Sequence, residues 1–325
     1  MKTRLTELLN IEHPVMLAGM GGVSYHQLTA AVSEAGGYGC LGASTMSSER
    51  LANEIALTRA LTDRPFGVDL LTAFPETLQQ NVELLIEGGA STFVAGLGVP
   101  RQVIDLCHDH HVLVISMCGK VEHAKRALDA GCDLVVAQGT EAGGHTGTVA
   151  TMPLVPLIVD AVGGLIPVVA AGGIFDGRGL AAALSLGAVG VWIGTRFIAT
   201  PEARAIAGYK ESLLDTAEDG TVISRAFSGK TMRVLRNDTT DRYEADPSLL
   251  KKFPDQLGVA FADGTFHLGG DELTSGVDPR REGYPAGQGV GAIDAIIPAG
   301  NIVRAIVEDA ERVIARLASL SEGRP

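Results

Sequence analysis

Apolar residues in the first part of the chain fall in short continuous runs, not in alternation with polar ones. Runs at 14–19, 38–42, 66–70, 92–95, 112–116, 133–137, 167–171 and 189–193 are of strand length. Missing alternation marks strands covered on both faces, as in a parallel sheet flanked by helices. Helix-ending signals recur near Gly36-Gly37, Asp63, Gly88-Gly89, His110, Gly131, Gly163-Gly164 and Gly187, spaced by roughly 20–30 residues, the length of a βα unit. Ser24 and Gln27 are spaced as a capping box ahead of Leu28, Ala31, Val32 and Ala35. A last helix arrives late: Ile302, Ile306, Ala310, Val313 and Leu317 form one apolar stripe after Pro298 and Gly300.

Between the eighth strand and that helix, residues 201–285 turn richer in charge and in Asp, Gly and Thr. So long a stretch is not a bare loop in a compact domain. The pattern predicts an α/β fold, a (β/α)8 TIM barrel over 1–200. A smaller helical insertion domain at 201–285 follows between strand 8 and helix 8, with a return to the barrel over 286–325. The insertion is expected over the C-terminal face, where the last strand delivers the chain.

Composition narrows the partners. With 46% apolar and 20% charged residues the chain reads as globular, and a net charge of −12 argues against nucleic-acid binding. Cys40, Cys107, Cys118 and Cys132 show no CxxC spacing and sit in or beside apolar runs, as reduced core thiols of a cytoplasmic protein do. Residues 1–10 mix charge with apolar side chains, so no secretory leader is expected. The apolar stretch 153–174 contains Asp160 and several prolines and glycines, and reads as a helix followed by a buried strand, not a membrane span.

Two glycine-ended strands carry the chemistry. Ala170-Ala171-Gly172-Gly173-Ile174 and Ile193-Gly194-Thr195-Arg196 would present adjacent backbone amides to an anion, where barrels of this class hold a phosphate. The sixth strand runs into the glycine-dense loop 138–147, whose one imidazole, His145, is placed as a general base or as a solvated loop residue. Gly19, Gly21 and Gly22 after the first strand suit either a planar ligand or a tight turn. Cys107-His108-Asp109-His110-His111 lies at a helix end away from the strand C-termini, so no metal site is expected there.

The segments 14–20, 65–69, 138–147, 170–179 and 193–197 closely resemble the nitronate monooxygenase family, formerly the 2-nitropropane dioxygenases. FMN-dependent enoyl-acyl-carrier-protein reductases share the motifs. The likeness covers residues 1–200 and returns at Gly287-Gln288-Gly289 and the last helix. It implies a barrel that binds FMN, with flavin contacts at Ala18, Gly19, Met20, Asp69 and Gln138, and further cofactor contacts at Gly144, Ala171 and Gln288. Phosphate contacts fall on Gly172, Gly173, Gly194 and Thr195, and the base on His145. The implied reaction takes a small-molecule nitronate and O2 to a carbonyl compound and nitrite; a neutral nitroalkane would first lose its α-proton to His145. Many members carry Asn where Asp69 stands and Lys where Met117 stands, and Lys120 is the local candidate to replace that cation. Two other readings are an FMN-dependent NAD(P)H oxidoreductase acting on an enoyl thioester or a quinone, and a flavin-free barrel that binds a phosphate ligand or turns over a phosphosugar.

Overall fold

The structure, a computed structural model, describes residues 1–72, 75–96 and 98–322; the last three positions of the 286–325 return lie outside them. The strands are β1 (Val15–Leu17), β2 (Gly39–Gly42), β3 (Phe66–Leu70), β4 (Thr92–Ala95), β5 (Leu113–Cys118), β6 (Leu134–Gln138), the two-residue β7 (Gly144–His145), β8 (Val168–Ala171), β9 (Val191–Ile193), β10 (Thr221–Ser224) and β11 (Met232–Leu235). Eight of them pair in parallel in the order β1-β9-β8-β6-β5-β4-β3-β2. Met16 bridges Tyr38 in parallel, which closes the ring between β1 and β2. All eight runs read from the sequence are barrel strands.

Unbroken apolarity has its cause in the two layers. Met16, Val94, Ile115, Leu134, Val136 and Val169 fill the barrel interior. Their neighbours Val15, Leu17, Val114, Val135, Ala137, Val168 and Ala170 pack outward against the helices. Successive side chains of a strand point to opposite faces, and here both faces are dry. The helix Arg4–Leu9 drives Leu5 and Leu9 into the interior cluster, plugging one end. This plug was not anticipated, because six residues are too short for a readable helical period. All four cysteines are free and buried, and burial pushes the Cys107 and Cys118 thiols up to about 12, leaving them inert.

Two local expectations are corrected. Ser24 and Gln27 form no capping box: the helix His26–Glu34 begins after Tyr25, with no side-chain cap from that residue. Ser24 Oγ instead accepts from Met20 N at 2.7 Å, and the buried Glu54 accepts from His26 N and Nδ1 at 3.1 and 2.6 Å. The insertion is helical only in part. Helices Tyr209–Leu214, Asp238–Ala245 and Asp255–Ala262 accompany the antiparallel pair β10–β11. β11 also pairs with β7, setting Met232 opposite His145 and Arg233 opposite Gly144. A four-residue strand offers too few alternations to be seen against a charged background. The insertion has its own small core, including Phe227, Met232, Val234, Tyr243 and Phe266, and the helix Ala299–Glu322 returns to the barrel. Among the described residues no helix is long and apolar enough to cross a membrane.

Candidate active site

Between the C-terminal ends of the barrel strands and the insertion lies a cavity of about 940 Å³. Its walls include Ala18, Gly19, Met20, Asp69, Gln138, Gly144, His145, Ala171, Gly172, Gly173, Gly194 and Thr195. The structure thus gathers every residue that the resemblance assigned to the cofactor or the base except one. Gln288 is exposed and off the cavity wall, while its backbone N–H donates to the Glu141 carbonyl at 2.9 Å; its neighbours Gly287 and Gly289 line the cavity instead.

One end of the cavity is built for an anion. Gly172 and Gly173 have φ of 103° and 72°, the left-handed region where a side chain is strained. The amides of Gly172, Gly173, Gly194 and Thr195 donate no hydrogen bond to a described residue. Thr195 Oγ1 accepts from Gly287 N at 2.9 Å, which draws the C-terminal return up to the cradle and leaves the hydroxyl proton to donate. Glu141 accepts from Thr151 N and Oγ1 at 2.9 Å, and Thr151 Oγ1 reaches the Gly172 carbonyl at 3.0 Å. The His145 loop and the phosphate-type strand end are therefore held by one side-chain network.

His145 opens onto the cavity and is fixed from two sides. Gln138 Nε2 donates to its carbonyl at 2.8 Å, and its own Nε2 lies 3.0 Å from Oγ of the buried Ser228. When the Ser228 proton goes to the Lys230 carbonyl, 3.3 Å away, Nδ1 is the ring atom with a free lone pair. Desolvation first, and the Lys230 charge second, hold the imidazole below the usual histidine range. The neutral form needed to accept a proton is then the one present at pH 7.

Asp69 comes from β3 and packs against Gly19, two residues past β1: a Cβ on Gly19 would lie 2.2 Å from Asp69 Cβ, so only glycine permits this approach. The carboxyl keeps partial contact with the open cavity, yet the surrounding protein desolvates it enough to push it up to about 8. Near neutrality it therefore carries a proton and offers one O–H donor. Its folded value lies above the unfolded one, so Asp69 costs stability, by nothing below about pH 4 and fully above about pH 8. Asp69→Asn is expected to stabilise the ligand-free protein by about 1–3 kcal/mol at pH 8, the full linkage value being discounted for solvent in the cavity. Urea unfolding at pH 5 and pH 8 checks this: the gain must grow with pH, and a pH-independent gain contradicts it.

Comparison with known proteins supplies the family. The sequence model of nitronate monooxygenase matches residues 2–87 and 73–309. The chain belongs to the nitronate monooxygenase family. This family member is 42% identical, over 75% of its length and 69% of the relative's, to the 5-hydroxy-7a-methyl-1-oxo-octahydro-1H-indene-4-carboxyl-CoA dehydrogenase of Mycobacterium tuberculosis. Among solved structures, FabK from Thermotoga maritima superposes with a TM-score of 0.87 at 34% identity, covering 98% of this chain and 99% of that one. A nitroalkane oxidase from Streptomyces ansochromogenes gives a TM-score of 0.82 at 30% identity, covering 96% and 99%. The nitronate monooxygenase homologue described here is an oxidoreductase on a TIM barrel.

Where the resemblance leads to an expectation of Asn, Asp69 with its carboxyl pushed up to about 8 is able to donate a hydrogen bond as well. Met117 lines the cavity, but Lys120 does not replace the missing cation: it is exposed, off the cavity wall, and pairs with Glu122 at 3.5 Å. The cations on the wall include Arg225 and Lys230, from the β10–β11 connection. Sequence reasoning missed these two, together with Ser228, His267 and Glu282. Nothing local marks them; the pairing of β11 with β7 brings Ser228 to His145.

Proposed function

We propose that this chain binds FMN and uses it to oxidise alkyl nitronates with O2 to carbonyl compounds and nitrite, as a cytoplasmic enzyme. The observation that carries the reading is the set of four free amides at Gly172, Gly173, Gly194 and Thr195, a cradle suited to a phosphate dianion. Ala18, Gly19, Met20, Asp69 and Gln138, on the same cavity wall, would hold the flavin ring. Bound FMN supplies the electron acceptor. The protein's own part is to enclose the substrate and to move a proton: His145 Nδ1 takes the α-proton of a neutral nitroalkane, while a preformed nitronate needs no base. The purified protein is expected to show a two-band flavin spectrum and to release FMN on denaturation. A colourless protein that takes up no added FMN would overturn the reading.

A second reading, an FMN-dependent oxidoreductase of acyl-CoA thioesters, is favoured by the cavity rim. Gly229 packs against the backbone of Lys251–Phe253, a Cβ there lying 2.6 Å from Phe253 N. This groups Arg225, Lys230, Lys251 and Lys252 around one turn. None makes an ion pair with a described residue, and Lys230 Nζ sits 4.0 Å over the Phe253 ring. On a chain of net charge −12, such a patch fits the phosphates of a CoA tail, and the relative from Mycobacterium tuberculosis carries a CoA name. Under this reading Arg225→Ala with Lys230→Ala raises KM for an acyl-CoA about tenfold or more and leaves KM for a nitronate unchanged. Equal KM values for acyl-CoA before and after would remove it.

A further inference from the structure

The cavity holds a second imidazole that the reading above does not use. His267 comes from the insertion and lines the cavity together with Glu282. His267 Nδ1 lies 2.7 Å from Glu282 Oε2, and His267 N donates to Glu282 Oε1 at 2.7 Å. Glu282 is 1% exposed, and His267 is its sole ion-pair partner among the described residues. A carboxylate on Nδ1 fixes the ring and makes Nε2 its exchanging atom. That atom makes no hydrogen bond to a described residue. Glu282 is itself anchored: its carbonyl accepts from Asn237 Nδ2 at 2.6 Å and from Tyr284 N at 3.1 Å. Carboxylate-oriented histidines serve as catalytic groups, and the His267 side chain keeps 21% of its surface exposed.

We propose that His267, oriented by Glu282, is a second catalytic residue that donates a hydrogen bond from Nε2–H to the substrate's developing nitronate oxygens. The step completes the one begun at His145. As the α-proton leaves carbon for His145, the C–H electron pair moves toward the nitro group and charge collects on its oxygens. The Nε2–H of His267 donates a hydrogen bond to those oxygens and keeps its proton, so the substrate leaves the step as the nitronate anion. No oxidant takes part. The inference rests on the proposed use of the cavity for a carbon acid such as a nitroalkane.

The test uses the purified enzyme with its cofactor and histidines labelled at Cε1, with nitroethane as the probe. His267→Asn is the decisive variant, since its amide can still donate to Glu282 in place of Nδ1 but has nothing in place of Nε2. It also assigns the His267 resonance by its absence. Nitroethane is expected to shift both the His145 and the His267 resonances. His267→Asn should lower kcat on nitroethane about a hundredfold, far more than it lowers ethylnitronate turnover, with FMN content and Tm holding. If that variant fails to fold, Glu282→Gln, which still accepts from His267 N, carries the same expectation. A His267 resonance that stays still while His145 responds, or full nitroethane turnover in His267→Asn, overturns the proposal and spares the proposed function. If neither histidine responds, the cavity takes no nitroalkane and this proposal falls, while turnover of ethylnitronate decides the proposed function separately.

Discussion

Gly173→Leu is expected to purify as apoprotein. Gly173 has φ of 72°, so any side chain there starts from a backbone strain of about 1–2 kcal/mol. Its Cβ would lie 3.2 Å from Glu141 Cβ, and Glu141 is the residue that holds Thr151 and, through it, the Gly172 carbonyl. Leucine would therefore crowd the cradle and disturb its support. Losing two charge-assisted hydrogen bonds to a phosphate costs about 3–6 kcal/mol, a fall in affinity of at least about a hundredfold. Flavin absorbance per protein after gel filtration measures it, with circular dichroism as the check on folding. Full occupancy in a folded variant would place the phosphate elsewhere.

His145→Ala should separate two substrates that differ by one proton. Turnover of a neutral nitroalkane is expected to fall about a hundredfold or more, the usual worth of a positioned base. Turnover of the corresponding nitronate should change by only a few-fold. Because desolvation by the surrounding protein and the Lys230 charge hold the imidazole below the usual histidine range, wild-type kcat/KM on the nitroalkane should rise with pH through a value below 6.5 and be level by neutrality. That limb should vanish in the variant. Equal losses on both substrates would make His145 a binding residue and not a base.

The barrel was legible because its strands are buried on both faces, and burial on both faces writes a continuous apolar run. The anion cradle was legible for a related reason: Gly172 and Gly173 need a conformation that other residues resist, so the sequence has to show glycine there. The rest depends on partners far along the chain. Ser24 has a capping residue's identity, but Glu54 reaches His26 first. Leu5 and Leu9 form a plug whose period is too short to read. Arg225, Ser228, Lys230, His267 and Glu282 look like any polar residues of a charged insertion until β11 pairs with β7 and folds that segment over the strand ends. Lys120 shows the converse error, since nearness in sequence to Met117 did not bring it to the cavity.

Anaerobic mixing of the purified enzyme with ethylnitronate, and separately with NADH and with NADPH, bears most directly on the central claim. The proposed function predicts that the nitronate alone bleaches the flavin's visible absorbance, and that oxygen restores it as nitrite and acetaldehyde appear. A flavin untouched by the nitronate but bleached by NADH or NADPH would contradict it.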